Sequence, residues 1–258
     1  MDNFRTLLEH HRGPSFDTIS SIGPNGAVIH YKPAEDTCLP LSNREIYLLD
    51  SGGQYLDGTT DITRTTHFGN AEVEPTAFQK EAYTRVLLGN LDLERVTWPS
   101  KSTIAGGDMD TLARRRLWEV GLDYKHGTGH GVGSYLYVHE GPYGVGRGYK
   151  FKFEEGMCVS NEPGFYKDGE FGIRIENVIM CVKHPEHEDF YTWENLTVAP
   201  YSRKLIDLDL LSPADVRFID AFHQRCLTLL TPLLSGDDED SVRGLAYLQR
   251  QCAPLLSQ

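Results

Sequence analysis

Cysteine is sparse and follows no pairing pattern. Cys38, Cys158, Cys181, Cys226 and Cys252 are scattered, odd in number and never spaced as CxxC, so the reading is free buried thiols in a reducing compartment. No stretch approaches the roughly 20 apolar residues of a membrane span, and no membrane partner is expected. Positive charge is in the minority: 25 Lys and Arg against 37 Asp and Glu leave a net charge of −12. That balance argues against nucleic acid, whose phosphates need a basic surface. The opening MDNFRTLLEHHRGPSFD has no apolar h-region, so no secretory signal is expected and the cytoplasm is the expected location. What is present is an ordinary soluble composition, 40% hydrophobic and 24% charged over 258 residues. That is enough for one large domain or two small ones with a real core.

Residues 16–66 read as strands joined by turns. A turn is expected at Gly23-Pro24-Asn25-Gly26, followed by a β-branched run through Val28 and Ile29. Two strands are expected around an Asp57-Gly58 hairpin turn. Phe78, Ala82, Val86 and Leu87 then recur at helical spacing, and a second helix is expected over MDTLARRRLWEVG, ending at Gly121. Residues 125–149 are rich in glycine and read as a loop, and a second antiparallel pair is expected around Asp168-Gly169. After Pro200 the pattern turns helical, with a Ser-Pro start at Ser212-Pro213 and a last short helix beyond the acidic GDDEDS. The expected class is α+β in two architecturally related halves, with 200–258 as a helical C-terminal appendage.

Within this frame Asp50 (LLDSGG), Asp61 (GTTDITRT), His130 (HGTGHGVG), Glu162 (SNEPGFY) and Glu176 (GIRIENV) are candidates for a cage holding two divalent metal ions. Four carboxylates balance two such charges. An oxygen-rich set with one nitrogen favours manganese, and zinc or cobalt less well. Two ions close together activate a water and polarise a carbonyl, which is hydrolytic chemistry.

Blander readings stand beside this one. With a turn at Asp57-Gly58, Gln54 faces Asp61 and Asp50 falls four residues out of step, so a bend at Gly52-Gly53 is needed to bring the two acids together. Asp61 has Arg64 as an ordinary ion-pair partner, and Asp50 can simply end the apolar run IYLLD, where burial would still demand a partner. Glu162 and Glu176 flank the second turn, but an Arg174–Glu162 salt bridge explains them without metal. His126, His130 and His139 fall within fourteen residues. Gly127 and Gly129 make a helical HxxxH pair improbable, so this is not the HExxH pattern.

At these residues the chain resembles the pita-bread metallopeptidases, the family of methionine aminopeptidase, proline dipeptidase and aminopeptidase P. Their five ligands run Asp, Asp, His, Glu, Glu, and Asp50 and Asp61 keep the eleven-position spacing of the first two. TISSIGPNGAVIHYKP, DSGGQYLDGTTDITRTTHFG, HGTGHGVG, VHEGP, NEPGFY and FGIRIENV are similar to the cytosolic Xaa-Pro aminopeptidase branch from about residue 13 onward.

The resemblance implies a pita-bread fold, with curved antiparallel sheet in two pseudo-related halves and helices outside. It implies a remnant segment over 1–15, a catalytic domain over 16–199 and the appendage over 200–258. It further implies that the fold is incomplete at the N-terminus, without two preceding creatinase-like domains and a substrate-binding arginine they contribute.

By the same resemblance Asp50 binds one ion through both oxygens, and Asp61 and Glu176 bridge the two. His130 and Glu162 complete the second ion's shell, and Glu162 is also the general base. His30 and His139 bind substrate and act on the oxyanion or the leaving nitrogen, while His126 and Arg174 either back the metal ligands or line the pocket and bind substrate. The implied substrates are peptides with proline second, and a homodimer is the family's habit. A proline dipeptidase on the same fold, and an inactive fragment or binding module, remain the alternatives.

Overall fold

The computed structural model describes residues 1–70 and 72–256. A short helix α1 (Asp2–Arg5) leads into strand β1 (His11–Pro14). The first half then has β2 (Ile19–Ile22), β3 (Ile46–Asp50), β4 (Gly53–Tyr55), β5 (Gly58–Thr59) and β6 (Thr63–His67). These make two antiparallel three-stranded sheets, ordered β2-β3-β6 and β1-β4-β5. In β3 the alternation of side chains puts Ile46, Leu48 and Asp50 on the buried face.

The hairpin between Asp50 and Asp61 differs from the expectation. Asp50 pairs with Thr63, Gln54 with Thr59 and Tyr55 with Gly58, so the tight turn is Leu56-Asp57 rather than Asp57-Gly58. Backbone bonds from Ser51 to Ile62 (3.0 Å) and from Thr60 to Gly53 (2.9 Å) carry one register through the gap. No compensating bend is needed, because Asp61 now lies two residues from the partner of Asp50, a diagonal neighbour across the ladder. Residues 23–27 form a 3-10 turn, and Val28-Ile29 are not strand. The Val28 N–H returns to Asn25 and its carbonyl accepts from Tyr31, so the segment coils on itself.

Helix α2 (Ala77–Glu94) starts at a Thr76–Gln79 capping box. The two-residue strand β7 (Trp98–Pro99) follows, then α3 (Gly106–Trp118), and Gly121 adopts φ +74° just beyond the helix end. The expected loop over 125–149 contains two strands, β8 (Gly129–Gly131) and β9 (Glu140–Val145). With β10 (Cys158–Asn161), β13 (Asn177–Lys183) and β14 (Phe190–Asn195) they form a six-stranded sheet ordered β7-β14-β13-β10-β8-β9. The second hairpin, β11 (Gly164–Lys167) with β12 (Phe171–Arg174), turns through Gly169 as expected. Its pairing of Gly164 with Arg174 is in register with that of Asn161 with Asn177, so Glu162 and Glu176 stand opposite one another.

Helices α4 (Pro213–Leu230) and α5 (Glu239–Gln251) are capped by Ser212 and Asp238. Ile219, Phe222 and Cys226 of α4 share one buried cluster with Val86, Leu87 and Leu91 of α2 and with Ile173 and Ile175. The C-terminal helices therefore complete the same core that backs the second hairpin.

Candidate active site

Asp50, Asp61, His130, Glu162 and Glu176 all line one cavity of about 500 Å³, together with His30, His126, His139 and Arg174. Every site residue expected from sequence is therefore brought together. Asp61, His130 and Glu176 each offer a ligand atom within 4.8 Å of the others. His130 Nε2 lies 3.4 Å from both Asp61 Oδ2 and Glu162 Oε1. Its Nδ1 sits 2.9 Å from the Gly131 carbonyl, which keeps a proton on Nδ1 and turns Nε2 toward the two carboxylates.

The backbone delivers these groups from two ladders. Thr63, opposite Asp50, donates its hydroxyl to Glu176 Oε2 at 2.7 Å. The Glu176 N–H bonds to the Thr63 carbonyl, and that of Glu162 to the Thr128 carbonyl, so both glutamates leave their own hairpin to join neighbouring segments. Ser160 Oγ donates to Glu162 Oε1 (2.9 Å) and accepts from the His130 N–H (3.0 Å). The 124–128 segment is pinned by Arg114 of α3, which donates to the Tyr124 and His126 carbonyls at 2.7 Å each.

Of the two nearby arginines, one ion-pairs with a candidate ligand and the other does not. Arg64 turns from Asp61 to the Glu176 carbonyl (2.6 Å) and the Asn177 side chain (2.7 Å). Arg174, 2% exposed, pairs with Asp50 Oδ2 at 2.7 Å rather than with Glu162. It also donates to Tyr166 Oη (2.8 Å) and Thr63 Oγ1 (3.1 Å). Tyr166 Oη is 2.9 Å from His126 Nε2, and His126 Nδ1 is 2.8 Å from the Gly127 carbonyl. Both imidazole nitrogens are thus engaged. Thr63 and Tyr166 escaped the sequence reading. Thr63 is marked only by lying between Asp61 and Arg64, and Tyr166 by following Glu162 on the next strand.

Four carboxylates so placed fit a pair of cations. Burial raises the Glu176 carboxyl well above its ordinary range, reinforced by Asp61, Glu162 and Asp50. Burial likewise raises Glu162 to about 7, and raises Asp50 despite Arg174. His130 resists the opposing effect of burial and rises to about 9, held charged by Asp61 and Glu162. Asp50 Oδ1 and Asp61 Oδ1 are buried without a hydrogen-bond partner. Buried carboxylate oxygens without donors are costly, and a hard cation is the partner that suits them. Burial depresses His126 to about 4, and lowers His139, whose ring centroid stands 3.9 Å from that of His130.

Residues 1–183 match metallopeptidase family M24, and residues 189–255 match the C-terminal region of that family. The chain is 46% identical over 99% of its length to a probable Xaa-Pro aminopeptidase P of Laccaria bicolor, covering 39% of that protein. It is 47% identical, again over 99%, to the Xaa-Pro aminopeptidase ApepP of Drosophila melanogaster, covering 42% of it. It therefore spans about two-fifths of the length of these relatives. Among solved structures, an X-prolyl aminopeptidase from Caenorhabditis elegans, described as a cytosolic enzyme with a di-nuclear active site, superposes with TM-score 0.89. That match is 37% identical and covers 98% of this chain and 40% of that one. The prolidase of Pyrococcus furiosus shares the fold at TM-score 0.65 and 25% identity, covering 77% of this chain and 53% of that one. The fold is the pita-bread arrangement expected from the motifs.

Proposed function

This chain belongs to metallopeptidase family M24, and on that premise we propose that its site removes the N-terminal residue from peptides with proline second. The carrying observation is the convergence of two Asp, two Glu and one His in one cavity, beside His30 and His139. Asp50, Asp61, His130, Glu162 and Glu176 suit two divalent cations, which when bound neutralise the carboxylates, acidify a water and polarise the scissile carbonyl. The donor chemistry favours manganese over zinc or cobalt.

The chain's own groups do the rest. Glu162, oriented by Ser160, takes the proton from the attacking water and returns it to the leaving proline nitrogen. Burial disfavours the charged form of His139, and with His30 it donates an N–H to the developing oxyanion. Arg174 and Tyr166, bonded to Asp50 and His126, hold the pocket wall rigid. The Xaa–Pro bond is a tertiary amide with no N–H. Attack on its carbonyl asks for none, so proline is no obstacle.

The same proposal includes a catalytic unit over 16–199 with the 200–258 appendage, a cytoplasmic setting and a homodimer. The cytoplasmic setting is supported by the free cysteines, and among the described residues no helix is long and apolar enough to cross a membrane. Sedimentation velocity tests the dimer. The test of the activity is release of the first residue from Arg-Pro-Pro by the manganese-loaded chain. No release by folded, metal-loaded protein refutes the reading, and release from Xaa-Pro dipeptides alone would return it to the prolidase alternative.

A further inference from the structure

Helix α2 buries Val86, Leu87 and Leu91 fully in the core, together with the polar Thr84, Asn90 and Glu94. Asn90 is 0% exposed. A buried amide must be satisfied, so its partners are informative. Asn90 Nδ2 donates to the Asn161 carbonyl at 2.7 Å and to the Ile175 carbonyl at 3.2 Å. These are the residues immediately before Glu162 and Glu176. Asn90 Oδ1 accepts from Asn177 Nδ2 at 3.2 Å, immediately after Glu176. The Asn161 side chain answers by donating to the Asn90 carbonyl at 2.8 Å.

These contacts fall where the second hairpin's ladder is broken. Strand β10 ends at Asn161 and β11 begins at Gly164, while β12 ends at Arg174 and β13 begins at Asn177. In that gap the Glu162 and Glu176 N–H groups leave for Thr128 and Thr63. One amide on the helix thus ties together two strands at the point where they release each other.

We infer that Asn90 is a positioning residue that sets the spacing of Glu162 and Glu176, and through it cation affinity and turnover. This rests on the metallopeptidase reading of the site. The amide's two N–H bonds diverge to carbonyls on the two opposite arms of the hairpin, a geometry that an apolar side chain of similar volume cannot reproduce. Loss of a partner that orients metal ligands typically lowers metal affinity by about 10–100-fold.

The test compares Asn90→Leu with Leu91→Ala in the full chain. Leu91→Ala opens a cavity beside Asn90 and removes no side-chain hydrogen bond. Three quantities are measured: manganese affinity by calorimetry, kcat and KM on Arg-Pro-Pro, and amide exchange of the metal-free protein. For Asn90→Leu the expected result is metal affinity at least tenfold weaker, kcat reduced with KM little changed, and faster exchange at Glu162 and Glu176. Leu91→Ala is expected to lower the melting temperature as much or more while keeping wild-type affinity and kcat. Asn90→Asp, which keeps the volume but loses the donors, is expected to follow Asn90→Leu and serves if that variant does not fold. Wild-type affinity and exchange in the Asn90 variants, or equal losses in Leu91→Ala, overturns the inference. Wild-type protein that neither binds manganese nor cleaves the peptide refutes the metallopeptidase reading instead, while the exchange comparison still decides whether Asn90 is a clamp.

Discussion

His223 gives the C-terminal helices a pH dependence that can be worked out from its surroundings. The side chain is 0% exposed on α4. Its Nε2 accepts the Tyr201 N–H at 3.2 Å, and Nδ1 has no partner. Burial, with Arg64 and Arg203 nearby, depresses its pKa from 6.5 to about 4. A histidine whose folded pKa is lowered contributes stability that is fully present above its unfolded pKa. That stability is lost as pH falls from about 6.5 toward 4, because only the unfolded chain takes the proton.

From these two pKa values the loss between pH 7 and pH 5 is about 2 kcal/mol, approaching about 3 kcal/mol at lower pH. His223→Gln places an amide oxygen near the Nε2 position and does not titrate. Urea unfolding of metal-free protein at pH 7 and pH 5 isolates the residue, since all other groups are common to both proteins. Wild type is expected to lose about 2 kcal/mol more than the variant over that interval. Equal losses would refute the reasoning and mean that the fold admits the imidazolium. The consequence reaches the site, because Arg64, which holds the Glu176 carbonyl, lies 5.0 Å from the centre of the Tyr201 ring.

Three further outcomes follow from the geometry. Glu162→Gln should lower kcat by about 10²–10⁴-fold with far-UV dichroism unchanged, and activity within tenfold of wild type would remove Glu162 as the proton carrier. Arg174→Leu leaves Asp50 Oδ2 buried without its 2.7 Å partner, and should destabilise metal-free protein at pH 7 by about 3–5 kcal/mol in urea melts; a loss under 1 kcal/mol would show that the pair is solvated. Gly89→Ala would drive a methyl to within 2.1 Å of the Ala113 carbonyl where α2 packs on α3. It should cost about 1–3 kcal/mol despite alanine's better helix propensity, and a stabilised variant would contradict the packing.

Sequence made some of this legible and hid the rest for physical reasons. The second hairpin could be placed because Gly169, at φ +72°, marks a turn that few other residues accept. The first turn lies one residue earlier than expected, and its cross-strand pairing two residues over, because Asp57-Gly58 has the better turn chemistry whereas the long buried ladder of β3 with β6 sets the register. Strands β8 and β9 were unreadable because glycine carries no alternating pattern. A Cβ on Gly129 would lie 1.8 Å from the Ser160 carbonyl and one on Gly131 2.1 Å from that of Glu140, so close packing demands the residues that look like loop. The five candidate ligands that line the cavity were visible as acidic or imidazole groups in apolar or glycine-rich segments. Asn90 was not, since one amide in a helical stripe reads as an imperfection until its two carbonyl partners are known.

The central claim is that Asp50, Asp61, His130, Glu162 and Glu176 together hold a pair of divalent cations. Equilibrium dialysis against manganese followed by elemental analysis tests it directly. About two ions per folded chain are expected, with a clear drop below that in Asp61→Asn. A folded chain that retains no manganese, or an Asp61→Asn variant that keeps the full complement, would contradict it.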